Sequence, residues 1–103
     1  MNLVITDEAE ADLFDGLIFY EQQRRGVGVY FLESLRSDIE SLRLFAGIHR
    51  VIHGCHKMLS NRFPYAIYYE CEGDDVRVLR VLDCRRNPQW TERQVRKRAE
   101  WEE

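Results

Sequence analysis

Five basic side chains in the second half of the chain stand where strands are predicted to run, turn or end. They are Lys57, Arg62, Arg80, Arg85 and Arg86. Guanidinium groups grip phosphate through two parallel hydrogen bonds and ammonium groups act as point charges, so both can stabilise charge on phosphate oxygens. Phosphate chemistry also needs a group that moves a proton, and histidine is suited to this at neutral pH. His56, next to Lys57, is therefore a candidate base.

A neighbouring group of side chains could be interpreted as metal ligands. The group is His49, His53, Cys55 and His56. On a single strand, His53 and Cys55 would share one face and His56 would lie on the other. A zinc site needs four converging ligands, and this spacing matches no usual motif. We expect neither a metal nor another cofactor; His53 or His56 could be a base near Lys57, and an exposed strand end explains both equally well.

The charges are segregated along the chain, although the formal net charge is only −3. Residues 1–49 carry four basic and nine acidic side chains, whereas residues 50–98 carry eleven basic and six acidic ones. Glu100, Glu102 and Glu103 make the C-terminal end acidic. A chain of this kind can present a basic face despite an acidic pI. Acidic helix faces and basic strand edges, both merely solvated, would explain the same pattern.

Length and composition indicate one domain, residues 1–103, with 45% hydrophobic residues. No stretch approaches the roughly 18 apolar residues needed to span a membrane, and the first residues lack the pattern of a signal peptide. Three cysteines, Cys55, Cys71 and Cys84, do not suggest a disulfide framework. We therefore expect a cytoplasmic protein with reduced thiols.

Apolar periodicity predicts an α+β fold in the order β-α-α-β-β-β-α. The predicted strands cover residues 3–5, 51–59, 63–71 and 76–84, and the helices residues 7–24, 28–46 and 88–101. The two long helices are separated by a short glycine-containing break, so they should form an antiparallel hairpin. The strand over 76–84 is almost continuously apolar, which predicts a central position in the sheet. Asn87 and Pro88 are typical of a helix N-terminus.

Three segments carry a resemblance to a known family: residues 62–70, residues 76–82 and residues 84–90. Together with the element order, they resemble the RelE/ParE superfamily of toxins, which includes plasmid stabilisation proteins. The resemblance implies a twisted, mostly antiparallel sheet packed on the helical hairpin. It also implies a type II toxin–antitoxin system, in which a cognate antitoxin wraps and blocks the toxin in a hetero-oligomer.

The resemblance leaves the cellular target open. ParE-like members bind DNA gyrase without catalysis, whereas RelE-like members bind the ribosome and cleave mRNA. Arg85 matches an arginine that RelE-like nucleases carry directly after the last strand. Pro64 and Thr91 stand where those nucleases carry an arginine and a tyrosine, and neither can replace the missing group. We expect a ParE-like inhibitor of gyrase; the alternatives are a RelE-like endoribonuclease and a non-toxic partner-binding module of the same fold.

Candidate site residues follow from these alternatives. If the protein is a nuclease, the catalytic candidates are Arg85, Arg62, Lys57 and His56, with a tyrosine as a second possible proton carrier. The residues expected to bind a target or the antitoxin form a basic surface: Arg80, Arg85, Arg86, Trp90, Arg93, Arg96 and Lys97. A structural role is the alternative for the arginines after the last strand, which could pair with Asp83 and with the acidic first helix.

Overall fold

The computed structural model describes residues 2–97. Four helices and five strands follow one another as β1 (Asn2–Ile5), α1 (Asp7–Gln23), α2 (Val27–Glu40), α3 (Leu42–Phe45), β2 (Val51–Ile52), β3 (Cys55–Leu59), β4 (Tyr65–Glu72), β5 (Asp75–Asp83) and α4 (Pro88–Arg96). This arrangement confirms the predicted α+β class. The predicted last helix extends to residue 101, and its part beyond residue 97, including Ala99 and Trp101, lies outside the described residues.

The five strands form one mixed sheet in the order β1-β5-β4-β3-β2. β1 runs parallel to β5, and the other neighbours are antiparallel. The middle strand is therefore β4, and the prediction that the last strand is central was one position wrong. β5 is nevertheless an interior strand covered on both faces, which explains its continuous apolarity.

The helical hairpin of α1 and α2 covers one face of the sheet. Leu13, Phe31 and Leu35 are fully buried there against strand residues such as Ile67 and Val78. Gly16 lets the helices and the Phe31 ring approach closely, because a Cβ at this position would lie 2.4 Å from that ring. The hairpin turn is fixed by Glu21, whose carboxylate accepts hydrogen bonds from the amides of Gly26 and Gly28.

Two predicted elements are each divided in the structure. The predicted helix over 28–46 breaks at Ser41, whose hydroxyl donates to the Asp38 carbonyl at 2.6 Å and thereby competes with the helical pattern. The predicted strand over 51–59 is a short hairpin, because His53 (φ 55°) and Gly54 (φ 80°) both take left-handed backbone conformations. The predicted turn at 60–61 does follow β3, and β4 begins at Tyr65.

α4 covers part of the opposite face of the sheet. Asn87 caps it by accepting a hydrogen bond from the Gln89 amide at 2.8 Å, and Pro88 occupies its first turn. Val95 is fully buried and Trp90 half-buried against a second, smaller core that includes Leu79 and Leu82. Among the described residues, no helix is long and apolar enough to cross a membrane.

Candidate functional site

Arg80 is turned inward rather than toward a partner. Its Nε and Nη2 donate to the two carboxylate oxygens of Asp12 at 2.8 and 2.9 Å, and its Nη1 donates to Gln94 Oε1 at 3.1 Å. The Arg80 and Asp12 side chains are only 15% and 10% exposed. The hydrogen bonds to Asp12 raise the pKa of Arg80 further above its usual range. Arg80, expected in the partner-binding surface, instead joins α1, β5 and α4 in this structure.

Arg85 follows β5 and forms a two-point contact with Asp83. Its Nε and Nη2 lie 2.9 and 2.7 Å from the two Asp83 oxygens. These hydrogen bonds hold the pKa of Asp83 below its ordinary value. More than half of the Arg85 side chain is exposed, and its Nη2 also lies 3.5 Å from the Tyr20 hydroxyl. Arg85 is therefore both oriented by the chain and open to a partner.

Arg86 points in another direction and stacks on Trp90, with its guanidinium carbon 3.9 Å from the ring centroid. Cation–π stacking leaves the edges of a guanidinium available for hydrogen bonds. Both side chains border an open groove of about 370 Å³ between α1, β5 and α4, which Phe19 and Tyr65 also line. The groove combines aromatic surface with two arginines, Arg80 and Arg86, and with the carboxylates of Asp12, Asp15 and Asp83.

The outer surface of α4 is basic. Arg93, Arg96 and Lys97 are exposed and, with Gln89 and Glu92, line a shallow depression of about 500 Å³. Arg96 pairs with Glu92 at 2.8 Å across one helical turn. An exposed pair of this kind contributes little to stability, on the order of 0.5 kcal/mol or less. Its charges can therefore be rearranged by a partner at small cost.

Lys57 lies in a small pocket of about 140 Å³ on the α4 side of the sheet. The pocket is lined by Ile52, His53, Lys57, Tyr68, Asp83, Cys84, Arg86, Pro88 and Thr91. Lys57 and Tyr68 are cross-strand partners of β3 and β4. Burial raises the pKa of Tyr68 to about 12 and raises the pKa of the Cys84 thiol. The pocket thus holds two cations beside a phenol and a thiol that stay protonated at neutral pH.

His56 faces away from this pocket. Its ring stacks on that of Tyr69, with centroids 5.0 Å apart, and its Nδ1 donates to the His49 carbonyl at 2.7 Å. The Tyr69 hydroxyl, in turn, is hydrogen-bonded to His49 Nδ1 and accepts from the Gly47 amide. His56 therefore belongs to the packing of the segment before β2, and it does not join Lys57 in one site.

Arg62 lies in the exposed turn between β3 and β4, with its guanidinium carbon 6.0 Å from the Tyr30 ring centroid on α2. Pro64 is exposed, and its carbonyl accepts a hydrogen bond from the Cys84 amide at 2.8 Å. The predicted catalytic candidates therefore lie in separate places and do not form one site. Lys57 lies on one face of β3, His56 on the other, Arg62 next to α2, and Arg85 next to Asp83 and Tyr20.

His53 does lie with Lys57 in this pocket, as one of the alternatives expected, whereas sequence reasoning did not place Cys84 there and left the proton-carrying tyrosine unspecified. The alternation of side chains along β3 and β4 shows which residues share the pocket only when the register of the two strands is known. The predicted sharing of a strand face by His53 and Cys55 was wrong, because His53 lies in the β2–β3 turn. Across residues 2–97, no three His, Cys, Asp or Glu side chains are arranged to hold a metal ion.

A five-stranded mixed sheet, with a helical hairpin on one face and a C-terminal helix on the other, defines the RelE/ParE-like fold, and the predicted fold is confirmed. Among solved structures, the chain is similar to a chain of the chromosomal ParDE TA system from P. aeruginosa. The TM-score is 0.72 and the identity 21%, over 79% of this chain and 92% of that one. Neither a model of a known protein family nor a curated protein sequence matches the chain.

Proposed function

We propose that this protein is the toxin of a type II toxin–antitoxin system and is neutralised by a cognate antitoxin. The likeness to a chain of the ParDE TA system supports this assignment. Two surfaces of the protein have the character of binding sites for partner proteins. The basic exterior of α4 is one, and the apolar exterior of α1 is the other, where Phe14 and Ile18 are exposed four residues apart on one helix face.

The toxin acts as a ParE-like inhibitor of DNA gyrase, by binding and without catalysis. The observation that carries this choice is the dispersal of the four catalytic candidates. RNA cleavage without a metal requires a base, a phosphate-binding cation and an acid around one phosphate. Here His56 and Lys57 occupy opposite faces of the sheet, and Arg62 and Arg85 contact different helices.

We assign binding of the target to side chains that their neighbours hold in place and that remain exposed to solvent. Arg85 is held by Asp83, Arg86 is held by Trp90, and the three exposed cations of α4 follow in the next helix. Preorganised cations lose less conformational freedom when an acidic partner surface arrives. The antitoxin would cover the same side chains and so prevent contact with the target. Arg80 contributes by fixing α4 against α1 and β5.

The toxin assignment, which the ParE-like and RelE-like candidates share, is tested by expression in a bacterium with and without the antitoxin, whose gene we expect in a small open reading frame adjacent to this one. Growth arrest by the protein alone, relieved by co-expression of the neighbour, is the expected result. Normal growth at a confirmed expression level would contradict the toxin assignment. In that case the non-toxic partner-binding module becomes the better description.

A RelE-like endoribonuclease is the second candidate, and the pocket around Lys57 favours it. Lys57 and Arg86 could hold a phosphate, and Tyr68, protonated at neutral pH, could supply a proton. Purified protein added to ribosomes programmed with mRNA tests this alternative. Cleavage that is lost in Lys57→Ala and Tyr68→Phe would establish it. Intact mRNA, with translation products of full length, would remove it.

A further inference from the structure

The outer edge of β5 is covered by different groups along its length. β1 pairs with residues 75–78. Beyond them, the Thr6 hydroxyl donates to the Leu79 carbonyl at 3.0 Å. The Asp12 carboxylate then accepts from the Val81 amide at 2.9 Å. The last part of the edge lies in the open groove of about 370 Å³ between α1, β5 and α4, here called the β5 groove.

Two backbone groups of this last part have no partner. The Cys84 amide donates to the carbonyl of the residue just before β4. Because successive residues of a strand bond to opposite sides, the backbone groups of Val81 and Asp83 point away from β4. Asp12 occupies the Val81 amide, and the Asp83 carbonyl accepts from the Arg86 amide at 3.2 Å. Within residues 2–97, the Val81 carbonyl and the Asp83 amide form no hydrogen bond.

We propose that the β5 groove binds an extended segment of a partner protein, which joins the edge of β5 as a short parallel strand with a carboxylate facing α4. An unpaired strand edge is a template for another chain, and proteins recognise extended peptides through such main-chain groups. The proposal rests on the partner binding proposed above, because Arg86 borders this groove. It adds the conformation, the direction and the charge of the partner segment.

The two unpaired groups determine the direction of the segment. One residue of a parallel segment, placed opposite Leu82, would donate to the Val81 carbonyl and accept from the Asp83 amide. An antiparallel segment would need both backbone groups of Val81 or both of Asp83, and one group of each residue is already bonded. The segment therefore runs parallel to β5, as β1 does.

The walls of the groove determine which side chains the segment should carry. The residue opposite Leu82 lies on the same face of the sheet as Leu82, which packs in the smaller core with Trp90. Its side chain therefore points toward α4, where the Arg86 guanidinium stacks on Trp90. A carboxylate at this position can reach the free edges of that guanidinium. The neighbouring side chains of the segment point toward α1, where Phe19 is 43% exposed.

Two other occupants fit the β5 groove less well. The groove is lined by the carboxylates of Asp12, Asp15 and Asp83, which oppose the approach of the phosphates of a nucleic acid. A helix uses its backbone amides and carbonyls internally and has none along its length to offer a strand edge. An extended chain offers both groups.

The test uses the peptide acetyl-Thr-Val-Glu-Val-Thr-amide, titrated into the isotope-labelled full chain and followed by NMR. The Asp83 amide should exchange quickly in the free chain and become at least about tenfold more protected at saturation. The Cys84 amide, which is bonded within the sheet, is the internal control and should stay protected throughout. Methylating the backbone nitrogen of the peptide's glutamate should abolish binding. Methylating that of the second valine should not, because this nitrogen faces away from β5.

Charge reversal tests the contact with Arg86. Arg86→Glu should weaken binding at least about tenfold, and a peptide with lysine in place of glutamate should restore it. Arg25→Glu, at an exposed arginine between α1 and α2, is the matched control and should bind the peptide as the original chain does. Circular dichroism checks that both variants are folded.

Absence of binding, or unchanged exchange of the Asp83 amide at saturation, would overturn the proposal. Equal effects of methylating the two nitrogens, or equal losses in Arg86→Glu and Arg25→Glu, would do the same. Protection of the Val51 amide instead would assign the peptide to the opposite edge of the sheet. A chain that arrests growth but does not bind the peptide would refute strand addition alone. Peptide binding by a chain that does not arrest growth would refute only the toxin assignment.

Discussion

Asp12 of α1 and Arg80 of β5 form a two-point ion pair that is almost closed to solvent, and the same Asp12 carboxylate accepts a hydrogen bond from the Val81 amide at 2.9 Å. Asp12 thereby caps the edge of β5 just beyond Val78, where the register with β1 ends. Arg80 extends the connection to Gln94 of α4. One pair thus fixes the relative positions of the helical hairpin, the sheet and the helix that carries the basic surface.

The first prediction concerns this pair. Asp12→Ala should lower the free energy of unfolding by about 3 kcal/mol, because it leaves the Arg80 charge without a partner in a largely buried position. Urea denaturation measures the change. Asp15→Ala, an exposed acidic position on the same helix, is the control and should change stability by less than about 0.5 kcal/mol. Equal effects of the two substitutions would show that the pair has no special structural role.

Arg85 provides a prediction about function. Arg85→Ala should relieve growth arrest while antitoxin binding remains detectable, because one oriented cation is lost from a larger surface. The ion pair with Asp83 is largely exposed at Arg85, so the loss of stability should stay below about 1 kcal/mol. Growth curves, a pull-down with the antitoxin and urea denaturation test the three parts. Unchanged toxicity of the Arg85 variant would remove this residue from the target-binding surface.

His49 should make stability depend on pH. Burial, and secondarily the neighbouring His56, lower the pKa of His49 in the folded chain. A lowered folded pKa means that the unfolded chain takes up the proton more readily, so the stabilisation is complete above the ordinary histidine pKa of about 6.5 and declines as the pH falls below it. Thermal unfolding between pH 7.5 and pH 5 should show a smaller loss in His49→Gln than in the original chain.

Two further variants isolate the cause of this pH effect. Tyr69→Phe keeps the ring that stacks on His56 but removes the hydroxyl bonded to His49 and to the Gly47 amide. It should lower stability at pH 7.5, because that amide then loses its acceptor. His53→Gln, in the β2–β3 turn, is the control and should retain the original pH profile. A profile that changes in His53→Gln but not in His49→Gln would refute the assignment.

The close approach of α1 and α2 gives a prediction about packing. A Cβ added at Gly28 would lie 2.5 Å from the Leu17 carbonyl oxygen and 2.8 Å from Glu21 Cβ. Because the first of these is backbone, the helices must separate, and Gly28→Ala should cost about 2 kcal/mol. Glu33→Ala, at an exposed site of α2, should be close to neutral. Differential scanning calorimetry compares the two, and a neutral Gly28→Ala would mean that the hairpin is more adaptable than the structure indicates.

The sequence predicted the larger elements because their local signals agree with their surroundings. The helix predicted over 7–24 begins at Asp7, where Thr6 caps it by accepting a hydrogen bond from the Ala9 amide. The break at Ser41 and the turn at His53 were missed for a common reason. Both depend on backbone conformations that apolar periodicity does not reveal, and neither has proline or paired glycines as a marker.

The sequence predicted which residues belong to the candidate site better than it predicted how those residues are arranged. Arg80 and Arg85 were both assigned to a partner-binding surface, and pairing with carboxylates was an open alternative for Arg85 but not for Arg80. Which carboxylate each would meet required the register of β5 and the position of α1, because Asp12 and Arg80 are 68 residues apart in the chain. The separation of His56 from Lys57 follows from strand alternation alone. The pocket that joins Lys57 to Cys84 and Arg86 needed the turn after β5.

The central claim is that the protein inhibits gyrase by binding and without catalysis, and a supercoiling assay with purified gyrase tests it most directly. The account predicts that the chain blocks ATP-dependent supercoiling in proportion to its concentration, and that added antitoxin restores it. Lys57→Ala should inhibit as strongly as the original chain, whereas Arg86→Ala should inhibit less. Unimpaired supercoiling at saturating protein, accompanied by mRNA cleavage on programmed ribosomes, would contradict the claim.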